Sequence, residues 1–106
     1  MGIQSILTSL PKSSAAYVFG SFIKSCSPKD IDILVVYDQQ DCPPPLAHQF
    51  HAKFAKLVEK TLNLDVDLTL LTMEEERGNG FIQDTGAIPF ETAIAKLTQP
   101  GWVKRG

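Results

Sequence analysis

Apolar residues recur at Ile3, Ile6, Leu7 and Leu10, the i, i+3, i+4, i+7 spacing of a short amphipathic helix, which Pro11 closes. The run AAYVFGSF, residues 15–22, is too short for a helix and ends in Gly20-Ser21, so it reads as a buried strand. DIDILVVYD, residues 30–38, is rich in β-branched side chains between polar segments and gives the strongest strand signal in the chain. Pro43, Pro44 and Pro45 then make a stiff connector, and Pro45 suits a first helical turn because its missing N–H has no partner there anyway. Over 45–62, Leu46, Phe50, Phe54, Leu57 and Val58 form one stripe, with Gln49, Lys53, Lys56 and Lys60 opposite. That pattern predicts a surface helix laid on a sheet, ended by Asn63.

LDVDLTLLT, residues 64–72, alternates as a third strand. Thr72 followed by Glu74, Glu75 and Glu76 marks a helix N-cap with acids in the first turn, interrupted or kinked around Gly78-Asn79-Gly80. Residues 87–90 suit an edge strand that tolerates Pro89, and ETAIAKL makes a last helix. No internal repeat is visible. One domain is expected over residues 1–98, followed by a tail over 99–106 that carries Trp102.

Composition narrows the class. A chain of 106 residues buries roughly 65% of its unfolded surface, enough for one modest core. Ten basic against twelve acidic residues leave a net charge of −2. There is no excess positive charge to neutralise a phosphate backbone over a long footprint, so nucleic acid is not expected as an unaided partner. No apolar run approaches the ~18 residues of a bilayer span, and MGIQSILTSLPKSS has neither a long apolar region nor a basic start. The sixth residue is Ile6, not the Ser or Thr of a myristoylation signal. A soluble cytoplasmic protein without a membrane partner is expected. Cys26 and Cys42 fall in loops and, in that compartment, are expected as free thiols.

The chemistry gathers on the strands. Asp30 and Asp32 stand one residue apart, so they share a face about 6.6 Å apart while Ile31 and Ile33 turn into the core. Asp67 repeats the signature, an acid between Val66 and Leu68 in an apolar strand. Such acids repel one another, and a set of three suits bracketing divalent metal ions. An Asp-x-Asp pair alone is more often a solvated edge or a turn cap. Gly20-Ser21 directly after the first strand changes the balance: glycine lets backbone approach a ligand, and a serine N–H and hydroxyl at such a corner bind phosphate oxygens. Phosphate donors beside metal-holding carboxylates suggest a nucleoside triphosphate site.

With these residues, FGSFIKSCSPKDIDILVV resembles the signature of the DNA polymerase beta-type nucleotidyltransferase superfamily, a Gly-Ser followed after a short loop by Asp-x-Asp. VDLTLLT resembles the later strand that supplies its third carboxylate. The likeness runs over about residues 15–72, and by size it is closest to the minimal nucleotidyltransferases, which are often paired with HEPN-type RNase toxins. It implies an α/β (α+β) fold with a small mixed sheet of three or four strands flanked by helices. It implies Gly20 and Ser21 as the triphosphate corner, Asp30 and Asp32 as ligands of two Mg²⁺ or Mn²⁺ ions, and Asp67 as the third carboxylate. Asp65 lies on the same face and is the rival to Asp67, which better matches the family in standing between two apolar residues. The implied reaction is in-line transfer of NMP, AMP from ATP first among them, to a hydroxyl with loss of pyrophosphate, Asp67 helping to deprotonate the acceptor. Many minimal members carry Ala-Arg-Gly after the Gly-Ser and a longer loop. This chain has Phe22-Ile23-Lys24, and Lys24 or Lys29 is the candidate to replace the arginine at the phosphates.

The implied biology is the antitoxin half of a toxin–antitoxin pair, acting on a HEPN-type toxin or another protein acceptor, with RNA reached through that partner and homo- or hetero-oligomers in view. The thirty or so residues after Thr72 are too few to build an acceptor pocket. The acceptor is therefore expected to bring its own surface, as a folded partner protein or an RNA would, and the near-neutral net charge favours protein. Two other readings stand beside this one: a non-catalytic module that neutralises a partner by contact, and a small-molecule nucleotidyltransferase of the aminoglycoside type, which 106 residues leave little room for. Other signals read as structure. Gly78-Asn79-Gly80 lacks the rest of a dinucleotide fingerprint and no P-loop is present. His48 and His51 have no acidic or cysteine companion for zinc, and Lys53, Lys56 and Lys60 suit a solvated face.

Overall fold

A computed structural model describes residues 6, 8–10, 13–24 and 29–95, with backbone alone at residues 21, 24, 44 and 50. Its elements are β1 (Ser14–Phe19), α1 (Ser21–Lys24), β2 (Asp30–Tyr37), α2 (Pro44–Leu62), β3 (Asp65–Thr72), α3 (Met73–Asn79), α4 (Phe81–Thr85), β4 (Ile88–Pro89) and α5 (Phe90–Ala95). The strands form one sheet in the order β3-β2-β1-β4. β2 and β3 run parallel, joined through α2, while β1 is antiparallel to β2 and to β4. The fold is therefore the expected mixed sheet flanked by helices. Among the described residues, no helix is long and apolar enough to cross a membrane.

One face of the sheet carries the main core. Ala16, Val18, Ile31, Ile33 and Val35 alternate inward, as period-2 strands require, and meet Phe54 and Val58 of α2 and Phe90, Ala93 and Ile94 of α5. Phe54 and Phe90 pack edge to face at 5.5 Å between ring centroids. Ile6, from the predicted first helix, is fully buried in this core. Ile3, Leu7 and Pro11 lie outside the described residues, as do Cys26, Lys96 and Leu97, and the tail with Trp102.

Several boundaries differ from the sequence expectation, each for a local reason. The first strand begins at Ser14 and stops at Phe19, directly before Gly20-Ser21 as expected, and Phe22 of the apolar run falls outside it because Gly20 takes φ +77° and turns the chain into α1. Phe22 then enters the core, only 5% exposed. β2 ends at Tyr37, where Asp38 Oδ1 accepts from the Gln40 N–H and the Asp38 carbonyl accepts from Asp41 and Cys42. α2 begins one residue earlier than expected, at Pro44, and closes on Asn63, whose φ of 55° and bond to the Glu59 carbonyl make a left-handed cap. The buried stripe of α2 is rotated from the expected one: Ala47, His51, Phe54 and Val58 are inside, while Leu46 is 41% exposed. His51 takes an apolar position because both ring nitrogens are satisfied, Nδ1 against the Ala47 carbonyl at 2.7 Å and Nε2 against Ser14 Oγ at 3.0 Å. This geometry suits a neutral ring, with Nδ1–H donating and Nε2 accepting, and burial pulls its pKa below the usual histidine value.

The helix after Thr72 is interrupted where the glycines mark it, since Gly80 is left-handed at φ 64° and caps α3 before α4 starts. The N-cap itself is as expected, a capping box in which Thr72 Oγ1 accepts from the Glu75 N–H at 3.0 Å and Glu75 Oε1 accepts from the Thr72 N–H at 2.8 Å. The edge strand is two residues long, including Pro89, and α5 starts at Phe90, one residue before ETAIAKL. Cys42 is a free, buried thiol whose pKa burial raises.

Candidate active site

Alternation along β2 and β3 sends Asp30, Asp32, Asp65 and Asp67 to the face opposite the main core. The parallel register sets Asp30 against Asp65 and Asp32 against Asp67. Four carboxylates thus make two rungs on neighbouring strands. Asp32 is half-buried, and Asp30, Asp65 and Asp67 are exposed.

Asp32 is the perturbed member. Its pKa is raised, first by burial, then by the negative charges of Asp67 and Asp30 and by a hydrogen bond with Asp67. Two carboxyl oxygens in contact share a proton or need a cation between them. Gly20 stands immediately over this pair. A Cβ placed on it would collide with Asp32 Oδ2, so the glycine serves the carboxylate as well as the turn. The sequence marks Gly20 for backbone approach to a ligand, and nothing in it signals that its missing side chain also makes room for Asp32.

Ser21 opens α1 next to Gly20, and Lys24 closes that four-residue helix. Lys29 is exposed and adjoins Asp30 at the start of β2. The fold thereby gathers the expected phosphate corner and the acids at one end of the sheet, because Phe19, the last residue of β1, is the register partner of Asp32. Asp65 occupies the rung expected of a rival to Asp67 without the Asp32 contact.

The donor set is carboxylate oxygen throughout, the chemistry of Mg²⁺ or Mn²⁺ rather than of zinc. Among the described residues, no group of three His, Cys, Asp or Glu side chains stands together as a ready metal cage. Asp32 and Asp67 come together as a pair, with Asp30 felt through its charge.

The segment after Thr72 builds more than its length suggests. Met73, Glu76, Arg77 and Ile82 join Ser13, Ala15, Tyr17 and Val36 around a groove of about 370 Å³ on the face that carries the acids. Leu34 lies between Val36 and Asp32 on that face and is fully buried, which closes the groove off from the acids along β2. Phe19 and Phe81, edge to face at 5.0 Å, stand beside Asp32 on the β1 side.

A family model described as Polymerase beta, Nucleotidyltransferase matches residues 2–91. A search of curated proteins and a search of solved structures each returned no match.

Proposed function

The chain belongs to the polymerase beta nucleotidyltransferase family, and from that premise we propose that it transfers NMP, AMP from ATP, to a hydroxyl of a partner protein. The observation that carries this reading is the Asp32–Asp67 contact under Gly20, an acidic pair held together at a corner where backbone has been cleared of side chain. Asp32 and Asp67, with Asp30 beside them, are the residues that would hold Mg²⁺ or Mn²⁺. When bound, such an ion neutralises charge on the phosphates and lowers the pKa of a coordinated hydroxyl. Gly20 and Ser21 supply main-chain N–H groups to the triphosphate, and Lys24 and Lys29 supply positive charge. Asp67, the more exposed of the contacting acids, takes the acceptor proton. The partner is a HEPN-type toxin or another protein, RNA being reached through it, and the setting is a cytoplasmic toxin–antitoxin pair.

A second reading has its own support. The hydrogen bond between Asp32 and Asp67 lets the pair share a proton without a cation, which suits a module that keeps the fold and neutralises its partner by contact alone. One experiment separates them. The complex purified with its partner is given α-labelled ATP and Mg²⁺, and the expected result is pyrophosphate and AMP on a partner tyrosine, serine or threonine, lost in Asp32→Asn. No label from any of the four NTPs, with an Asp30→Asn/Asp32→Asn variant that neutralises the partner as well as wild type, assigns the protein to the contact reading.

A further inference from the structure

Phe19 and Phe81 belong to neither core cluster of the described residues. Alternation along β1 sends Ala16 and Val18 into the main core and turns Phe19 to the face that carries the acids. Phe81 comes to it from across the sheet, as the first residue of α4. Both are half-buried, and their rings meet edge to face with centroids 5.0 Å apart and planes at 85°. Such a contact occupies one face of one ring at most, so the pair keeps ring surface to offer a third planar group.

The backbone fixes Phe81 without help from the core. Gly80, left-handed at φ 64°, separates α3 from α4. Its N–H donates to the Glu76 carbonyl at 2.8 Å, and its carbonyl accepts from the Asp84 N–H at 2.9 Å. Glu76 Oε2 also accepts from the Ile82 N–H at 2.9 Å, so the residues on both sides of Phe81 are anchored.

Position adds to chemistry. Phe19 is the register partner of Asp32, so their Cβ atoms lie about 5 Å apart on the same face. Gly20 and Ser21 follow Phe19 directly in the chain. A triphosphate at that corner, with its metal on Asp32 and Asp67, has few directions in which to extend its nucleoside. Along β2 the way is closed by Leu34, which is fully buried. Asp67, given the acceptor proton, occupies the β3 side. The β1 side remains, and there the two rings stand.

We propose that the Phe19–Phe81 pair is the platform on which the base of the nucleoside triphosphate stacks, gripping the base without selecting it. This rests on the proposed function, whose nucleotide it places. The ribose spans from the α-phosphate at Asp32 to the rings. Every base has a π-face, so stacking adds affinity to all four nucleotides, and the preference for ATP is not set by these rings.

The test is binding to the full chain with Mg²⁺ by calorimetry. The probes are the α,β-methylene analogues of ATP, GTP, CTP and UTP, and inorganic tripolyphosphate, which has the phosphates and no base. Phe81→Leu keeps apolar bulk and removes the ring. It should weaken all four nucleotides about tenfold, the worth of one stacked base, and leave tripolyphosphate unchanged. In a Trp102→Phe background, Phe81→Trp should keep nucleotide affinity, and its indole emission should be quenched by the nucleotides and not by tripolyphosphate. If circular dichroism shows Phe81→Leu unfolded, that emission decides. Equal weakening of tripolyphosphate makes the ring a support of the phosphate corner and overturns the proposal. So do a loss confined to one nucleotide and an indole that ignores nucleotides. Tripolyphosphate and nucleotides that bind wild type and Phe81→Leu alike overturn the platform alone and leave the proposed function standing. A wild type that binds neither overturns the triphosphate corner and the platform together.

Discussion

Replacing Gly20 by alanine perturbs the backbone and the candidate site together, and a double-mutant cycle separates the two. An L-residue held at φ +77° costs about 1–2 kcal/mol. The new Cβ also collides with Asp32 Oδ2, a half-buried carboxylate tied to Asp67, and relieving such overpacking costs about 1–3 kcal/mol. Gly20→Ala should therefore lose about 2–5 kcal/mol, or roughly 4–8 °C of Tm for each kcal/mol in a domain of this size. In an Asp32→Ala background the collision is gone, and the same substitution should cost only the backbone part, about 1–2 kcal/mol. Urea unfolding of the four proteins, with equal m-values, gives the coupling directly. An identical loss in both backgrounds would refute the claim that Gly20 exists to clear space for Asp32.

Asp32→Asn should stabilise the metal-free protein at neutral pH. The raised pKa means the folded state holds the proton more tightly than the unfolded chain, so wild type gains stability as pH falls through the folded value, and the variant should lack that gain in urea titrations from pH 7 downward. A wild type that only loses stability relative to Asp32→Asn as pH falls would contradict this. With Mg²⁺ at ten times its Kd, wild type should gain about 1.4 kcal/mol and Asp32→Asn nothing, so equal shifts in thermal melting would remove Asp32 from the metal site. His51 should titrate below its ordinary value in NMR, and the stability it contributes, complete above about pH 6.5, should drain away as pH falls towards the folded pKa. A midpoint at or above 6.5 would contradict its neutral, doubly bonded state. Thr72→Ala removes the cap of α3 and should cost about 0.5–2 kcal/mol in urea melts, and no measurable change would mean the capping box carries no stability.

The strands of the site are legible in the sequence because acids interrupt apolar runs at period 2, which places Asp30, Asp32 and Asp67 on one face before any register is known. Register itself is not legible. That Asp67 falls beside Asp32, with Asp65 beside Asp30, depends on how α2 returns the chain, and a shift of two residues would satisfy the same pattern. Gly20 looks like a turn residue, and only the neighbouring strand reveals the side chain it makes room for. The full burial of His51 is not legible either, because it depends on Ser14, 37 residues away, which with Ala47 satisfies both ring nitrogens and lets the ring replace an apolar residue. Phe22 joins the core because the turn at Gly20 ends the strand, which an apolar run by itself does not announce.

The parallel pairing of β2 with β3 has a bearing on how the site comes into being. Asp32 and Asp67 become neighbours only after the whole of α2 has been laid across the sheet, so the loop closing them is long and its entropy must be met before their ladder returns anything. Bringing the acids together then adds repulsion at that step. Assembly of the acidic pair is thus an obstacle late in folding rather than a nucleus, and the apolar contacts of Phe54 and Val58 with Ile31, Ile33 and Val35 must drive it from the far side of the sheet. A divalent cation present while the chain folds would screen the repulsion at that moment, so its effect should fall on the folding rate as well as on the finished protein.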